Sequence, residues 1–510
     1  MIQRILTVGG FTLLSRVTGF FRDIILAAVL GAGPAADAFF VALRLPNHFR
    51  AIFAEGAFNA AFVPGYARVR EQAGPARAAL FADHIFTLLL ASQIVLLVVA
   101  LLFTPAVIDI LAPGFRADPG RFALAVELTR ITFPYLPLIT LVTLYGGILN
   151  ALQRFASASA APIFLNLALI AALLVAWLFP TAGHAAAWGV LISGVLQAGL
   201  VAGDAWYNGV LPRLRRPKLD DDVKRFFRAI GPATVGSAGV QLALFADTII
   251  ASFLPAGALS ALYYADRINQ LPIGVIGIAA GTVVLPEMAR RIAAGDDAGA
   301  ANAQNRAVEF TLLLGIPCIA AFFAIPELIM RALFVRGAFT AADATAAAQT
   351  LAAYAFGLMP FVLIRSAVAT FFARGDTATP VKASLAAAAV NIGFKVLLMG
   401  SLAQVGLALA TSIGAWINLG LVVLMGVRAG HMRSDARLTQ STLKLVAAGV
   451  VLGLVLWLAH APVAAMMPRR HGDITTLVAL GVIGGAVYGG AVLVLFGRDW
   501  LKAFRARLRR

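Results

Sequence analysis

Arg16, Arg22, Asp23, Asp37, Arg44, Arg50 and Glu55 are charged residues set in mostly apolar sequence near the start of the chain. Guanidinium groups do not deprotonate in proteins, and their planar fork grips phosphate through two parallel hydrogen bonds. On a helix, Arg16 and Asp23 lie seven apart and share a face, as do Asp37 and Arg44. A sparser set, Asp247, Asp266 and Arg267, recurs near the middle of the chain. Counting Arg16, Arg22, Arg44, Arg50 and Arg267 against Asp23, Asp37 and Asp266 leaves an excess of about two positive charges. Such an excess suits a multiply charged anion, whereas a cationic drug or a proton-coupled cation would call for the opposite. No constellation for bond-breaking chemistry accompanies it. His48, His84, His184, His431, His460 and His471 are scattered without metal-ligand spacing, and Cys318 stands alone in an apolar run. The one dense acidic run, Asp220–Asp221–Asp222, lies in a basic stretch and reads as a solvated loop or a helix start. Neither catalytic nor metal-ligating residues are expected.

The elements that position these charges follow from composition. Of 510 residues, 61% are hydrophobic and 13% charged, too apolar for a water-soluble globule. The net charge of +17 is not that of a nucleic-acid binder, because Lys and Arg sit in short clusters between apolar runs. A spanning helix needs about 20 apolar residues. Fourteen such spans are predicted, at about 2–31, 36–65, 80–111, 122–151, 159–180, 185–207, 229–254, 259–288, 307–325, 342–372, 381–401, 404–427, 442–461 and 474–497. With the amino terminus inside, about 27 Lys and Arg fall on the inner side against 6 on the outer, which places both termini in the cytoplasm. The connection 208–228 reads either as a cytoplasmic polar loop or as an interfacial amphipathic helix.

Arg16, Arg22, Arg44, Arg50, Arg130, Arg267, Arg365 and Lys395 fall inside these spans. Four arginines facing lipid in the first two spans would cost roughly 10–14 kcal/mol. They are therefore expected to line a hydrated cavity or to pair internally, while Arg130 and Arg365 have snorkelling at span ends as an alternative.

The two halves of the chain repeat. FFRDIILAAVLGAGPAADAFFVALRLP from Phe20 resembles LFADTIIASFLPAGALSALYYADRINQLP from Leu244, matching Asp23 to Asp247 and Gly33 to Gly257. The period of about 220–224 residues spans six helices, an even number, so a pseudo-twofold along the membrane normal is predicted. The fold class is an all-α polytopic membrane protein of fourteen helices in two six-helix lobes. Its parts are an N-lobe at 1–207, a linker at 208–228, a C-lobe at 229–428, and two extra helices with a basic tail at 429–510. Substrate sites in such repeat transporters lie near the midplane. The glycine-rich extra pair is expected either to line a membrane-open groove or merely to brace the second lobe.

SRVTGFFRDIILAAVLGAG, followed by ADAFFVALRLPNHFRAIFAEGAFNAAFVP, resembles the signature of the MurJ/MviN lipid II flippases. These belong to the multidrug/oligosaccharidyl-lipid/polysaccharide flippase superfamily. The resemblance continues through FPYLPLITLVTLYGGILNALQRF, YYADRINQLPIGVIGIAAGTVVLP, LFVRGAFTAAD and ARGDTATPVK, covering essentially the whole chain. It implies a transporter rather than an enzyme. Its substrate would be lipid II, the undecaprenyl-diphosphate-linked peptidoglycan precursor, carried to the outer leaflet of the bacterial inner membrane by alternating access. A flippase for another polyprenyl-diphosphate-linked glycan and a multidrug antiporter of the same superfamily are the alternatives. By the resemblance, Arg16, Arg22, Arg50 and Arg267 hold the diphosphate and head group and Asp23 steadies an arginine, with Arg44, Glu55 and Asp266 as nearby polar candidates. The last two helices with their neighbours would form the lipid-tail groove. Some members carry a sodium site, and Asp247 matches one of its positions. Asn391 and Lys395 lie four apart on the eleventh span, and Lys395 stands where those members have a carboxylate. That departure argues against sodium as a cofactor and leaves membrane potential or protons to drive the cycle. The implied partners are lipid II, membrane lipids and the cell-wall synthesis machinery, with no nucleic acid.

Overall fold

The computed structural model describes residues 2–53, 57–468 and 472–508, so Glu55, Arg469, Arg470 and His471 lie outside the described residues. Within them the chain is helical apart from turns, an irregular strap at 210–220, short 3₁₀ segments, one π-helical turn and an isolated bridge between Arg336 and Phe339. Two compact units emerge: residues 1–260 with 336–339, and residues 261–335 with 340–510.

The first unit holds α1 (Ile2–Leu30), α2 (Pro34–Phe53), α3 (Ala57–Leu102), α4 (Thr104–Leu111), α5 (Pro119–Thr132), α6 (Tyr135–Ala151), α7 (Ala156–Leu174), α8 (Ala182–Tyr207) and α9 (Asp221–Ser252). α1 packs on α7, α2 on α5, and α3 on both α6 and α9. The acidic run is a helix start. The Asp220 carboxylate accepts the Val223 N–H at 3.0 Å, and Asp221 and Asp222 lie in the first turn, where acidic side chains complement the helix dipole. Buried Phe226 then packs edge-on against Phe58, Phe62 and Phe81 and locks the start of α9 onto α3.

The second unit holds the rest of α10 (Ala258–Pro272), then α11 (Ile278–Ala293), α12 (Asp297–Ala324), α13 (Pro326–Phe334), α14 (Ala341–Phe372), α15 (Ala378–Arg428), α16 (Ala436–Met466) and α17 (Gly472–Leu508). α12 packs on α14 and α16, and α16 packs on α17. A polar knot fixes α12 to the start of α16. The buried Glu309 carboxylate accepts from Arg306 and from Ser441 Oγ at 2.8 Å, and Arg306 also donates to Asp435. Burial alone would raise the Asp435 pKa, but the Leu438 N–H and the Arg306 guanidinium hold it below the usual carboxylate range. The Tyr488 hydroxyl of α17 donates to the Leu313 carbonyl at 2.9 Å.

Nine helices among the described residues are long and apolar enough to cross a membrane, and α1 and α2 are not among them. Those two carry Arg16, Arg22, Asp23, Asp37, Arg44 and Arg50. Two breaks coincide with predicted span limits. α15 is interrupted at Ala403 (φ 46°, ψ −127°), between the spans predicted at 381–401 and 404–427. α17 is interrupted at Gly497 (φ 76°), where the last predicted span ends. The break in α3 falls at Gly74, beyond the predicted end of the second span at 65. The helix expected as one reading of 208–228 is only half present, because residues 210–220 have no regular structure. Pro212 and Pro217 lack N–H donors, and the Arg213 and Arg215 amides donate to Asp83 Oδ1 (2.7 Å) and Thr87 Oγ1 (3.2 Å) instead of to a helical carbonyl.

Candidate functional site

Arg22 and Asp23 are adjacent on α1 and bind each other. Arg22 Nε and Nη2 donate to Asp23 Oδ1 at 3.0 and 2.6 Å, and Arg22 Nη1 donates to Asn166 Oδ1 at 3.0 Å. Asn166, on α7, is oriented in turn by donating to the Ser15 carbonyl (2.9 Å) and Thr18 Oγ1 (3.0 Å). Gly19 faces that amide, and a Cβ there would stand at ordinary contact distance, 3.4 Å from Asn166 Nδ2. The fork is thus held from both ends, with Asp23 buried and Arg22 half-buried. Arg16 is exposed and stands outside this cluster. Asn166 was not anticipated; its signal was an amide side chain inside an otherwise apolar span.

Asp37 opens α2 and is completely buried, at 0% exposure. Its Oδ2 accepts from Arg121 Nη2 (2.7 Å) and the Gly257 amide (2.8 Å), and its Oδ1 accepts from the Ser260 amide (2.8 Å) and hydroxyl (2.6 Å). Arg121, itself 5% exposed, stacks its guanidinium 3.8 Å from the Phe115 ring centroid. The expected face shared by Asp37 and Arg44 does not become a pair. Asp37 turns to Arg121, while Arg44 Nη1 donates to Thr248 Oγ1 on α9 at 3.1 Å. Arg121 lies just before the span predicted at 122–151, yet it belongs to the first turn of α5. The sequence Asp118–Pro119–Gly120 before it is a helix start, and the Asp118 side chain caps the Arg121 amide at 3.1 Å.

The same end of the first unit is closed by main chain on main chain. The Ala338 amide donates to the Ala28 carbonyl at 2.7 Å. Gly31 (φ 67°) and Gly337 (φ 59°) permit this approach, since a Cβ would come within 2.6 Å of the Ala338 oxygen and 2.2 Å of the Ala28 oxygen respectively. Nearby, the Gly114 amide donates to Ser252 Oγ at 3.0 Å.

Arg50 is half-buried on α2, beside His48, whose ring centroid lies 4.5 Å from that of Phe245. On α10, the Arg267 guanidinium lies 4.6 Å from the Tyr263 ring centroid, and Asp266 Oδ1 accepts from Gln270 at 3.3 Å. Asp247 is half-buried on α9 in the first unit, whereas Asn391 and Lys395 belong to α15 in the second. Lys395 is buried, at 3% exposure. Arg130 and Arg365 are both exposed.

An apolar cavity of about 780 Å³ lies in the second unit between α12, α14, α15 and α16. Ile316, Phe323, Met359, Trp416, Gly453 and Trp457 are among its lining residues. The pair α16 and α17 was expected to line a groove, or else only to brace its lobe. α16 lines this cavity, and no described residue of α17 is among its walls.

Helices long and apolar enough to cross a membrane, buried charge and an apolar side cavity define a polytopic membrane transporter. The lipid II flippase MurJ family model matches residues 26–468, and the chain belongs to that family. It is 41% identical over 98% of its length to a probable lipid II flippase MurJ of Rhizobium meliloti, of which it covers 96%. It is 35% identical over 99% of its length to the lipid II flippase MurJ of Burkholderia cenocepacia, of which it covers 98%. Among solved structures, a lipid II flippase MurJ in an inward closed conformation has the same fold, with a TM-score of 0.82 at 23% identity, covering 97% of this chain and 99% of that one. An inward-facing multidrug resistance MATE family transporter of the MOP superfamily follows the fold at a TM-score of 0.65 and 15% identity, covering 83% of this chain and 97% of that one.

Proposed function

We propose that this chain translocates lipid II from the inner to the outer leaflet of the bacterial inner membrane by alternating access. Family membership over residues 26–468 supports the substrate. The observation that carries the chemistry is the Arg22 guanidinium, locked by Asp23 and Asn166 inside a membrane-embedded unit. A fork held in this way meets a diphosphate with little rotational freedom left to lose. Arg16, Arg44 and Arg50 of the first unit, Asp266 and Arg267 of the second, and Glu55 are each proposed as further substrate-binding residues. The apolar cavity beside α16 has the chemistry to receive a polyprenyl tail.

The finer architecture belongs to the same proposal. It comprises fourteen spans, lobes at 1–207 and 229–428 related by a pseudo-twofold, an extra pair after 428, and both termini in the cytoplasm. The inner-side excess of Lys and Arg supports the orientation. A buried Lys395 supports a cycle driven by membrane potential or protons rather than sodium. Cell-wall synthesis proteins are proposed as neighbours on the strength of the substrate alone.

The test is replacement. Cells depleted of their resident lipid II flippase receive this chain, and lipid II accessibility on the outer face is followed. Restored accessibility is expected. Failure by a correctly inserted chain would instead favour another polyprenyl-diphosphate-linked glycan or a multidrug substrate.

A further inference from the structure

We propose that the segment from Arg213 to Arg228 is a docking surface for anionic phospholipid head groups at the membrane interface. α8 carries the chain to that level. Its last two residues, Trp206 and Tyr207, are 73% and 81% exposed, and such aromatic rings settle in the head-group layer. The strap that follows is pinned rather than loose. Asp83 accepts the Arg213 amide and pairs with Arg215 Nε at 2.9 Å, and Arg77 reaches Asp220 and Asp222 at 2.8 and 3.1 Å.

Those pairings leave the surface cationic. Seven Lys and Arg stand against three Asp between Arg213 and Arg228, and two of those Asp are bound to Arg77. Arg216, Lys218, Lys224, Arg225 and Arg228 are exposed and form no ion pair with a described residue. Leu214, Leu219 and Phe227 are exposed between them, while Val223 and Phe226 face inward and set the rotation of α9. Cations interleaved with exposed apolar side chains match a lipid interface. The charges meet phosphate while Leu and Phe enter the acyl boundary. An acidic soluble partner would satisfy the charges and leave Leu214 and Leu219 in water. The orientation proposed above enters only in naming the leaflet as cytoplasmic; the lipid chemistry does not depend on it.

The test uses the full chain with Cys318→Ser and Leu219→Cys, carrying an environment-sensitive fluorophore at position 219. It is placed in phosphatidylcholine nanodiscs with a rising fraction of phosphatidylglycerol, brominated high on its acyl chains. Quenching is expected to saturate at low phosphatidylglycerol and to weaken in high salt. Brominated phosphatidylcholine should quench far less at the same fraction. Replacing Arg216, Lys218, Arg225 and Arg228 by Gln should raise the half-maximal phosphatidylglycerol fraction at least about fivefold, on the scale of a surface cation near anionic lipid. Equal quenching by the two lipids, or a quadruple variant of unchanged unfolding temperature that still behaves as the parent, would overturn the proposal. If that variant does not fold, the salt titration of the parent decides, and salt-insensitive quenching overturns it equally.

Discussion

The carboxylate of Asp37 and the guanidinium of Arg121 form a salt bridge of 2.7 Å with both side chains nearly sealed from solvent, 0% and 5% exposed. Asp37 also accepts two amides and a hydroxyl from Gly257 and Ser260, so one carboxylate ties α2 to α5 and to the turn between α9 and α10. Removing one partner of a buried pair strands the other charge and typically costs about 3–5 kcal/mol. Asp37→Ala and Arg121→Leu should therefore each lower the unfolding temperature of the purified protein markedly. The double variant should be less destabilised than the sum of the two. Additive effects would mean that the pair is not coupled.

Transport should be sensitive to the shape of the Arg22 side chain as well as to its charge. Lysine at 22 keeps the charge but loses the planar fork that meets Asp23 through Nε and Nη2 and Asn166 through Nη1. We expect Arg22→Lys to slow flipping by about tenfold or more, the scale of one lost charge-assisted hydrogen bond, and Arg22→Ala to abolish it. Arg50→Ala and Arg267→Ala should also impair transport. Near-normal flipping by all three alanine variants at unchanged expression would refute the diphosphate assignment.

If Lys395 acts as a built-in cation, flipping by purified protein in vesicles should be unchanged when sodium is replaced by potassium or choline at fixed membrane potential. Lys395→Asp should then introduce a dependence on sodium. A steep loss of parent activity without sodium would place a sodium site elsewhere.

Gly453 lines the apolar cavity, and a Cβ there would meet nothing closer than Ala320 at 3.9 Å. Gly453→Phe should therefore fill the cavity with little strain on the fold. We expect it to block transport while leaving the unfolding temperature within a few degrees of the parent. A tail-borne photoprobe on lipid II should label α12 and α16 in the parent and lose that labelling in the variant. Full transport by Gly453→Phe would show that the tail travels elsewhere.

Ala403 holds φ 46° and ψ −127°, a region that favours glycine. Relieving such strain is worth on the order of 1 kcal/mol. Ala403→Gly should thus raise the unfolding temperature by a degree or more, a shift readable by differential scanning of the detergent-solubilised protein. A lower unfolding temperature would show that the alanine methyl contributes packing that outweighs the strain.

The sequence made the long apolar helices easy to read, because lipid exposure demands near-continuous apolar runs. Even the interruption at Ala403 fell between two predicted spans. Arg22 and Asp23 stood out for the converse reason, as charges where lipid forbids them. Arg121 did not, because its partner lies 84 residues away and a basic residue near a span end looks like a loop anchor. The repeat aligned Gly33 with Gly257, yet the left-handed glycines are Gly31 and Gly257. The run Gly31–Ala32–Gly33 offers two candidates, and only the closeness of Ala338 to Gly31 decides between them. The strap at 210–220 was undecided in sequence because its anchors, Asp83 and Thr87, sit on a different helix.

The joint between Ala28 and Ala338 is backbone against backbone. A catch of that kind works like a machined detent: its holding force is set by shape, and neither acidity nor ionic strength reaches it. Mutation at positions 31 or 337 can only jam it, since every alternative to glycine adds bulk. A graded response to cell conditions at this end of the protein is open instead to the ionic pair of Asp37 and Arg121, whose strength depends on charge as well as shape.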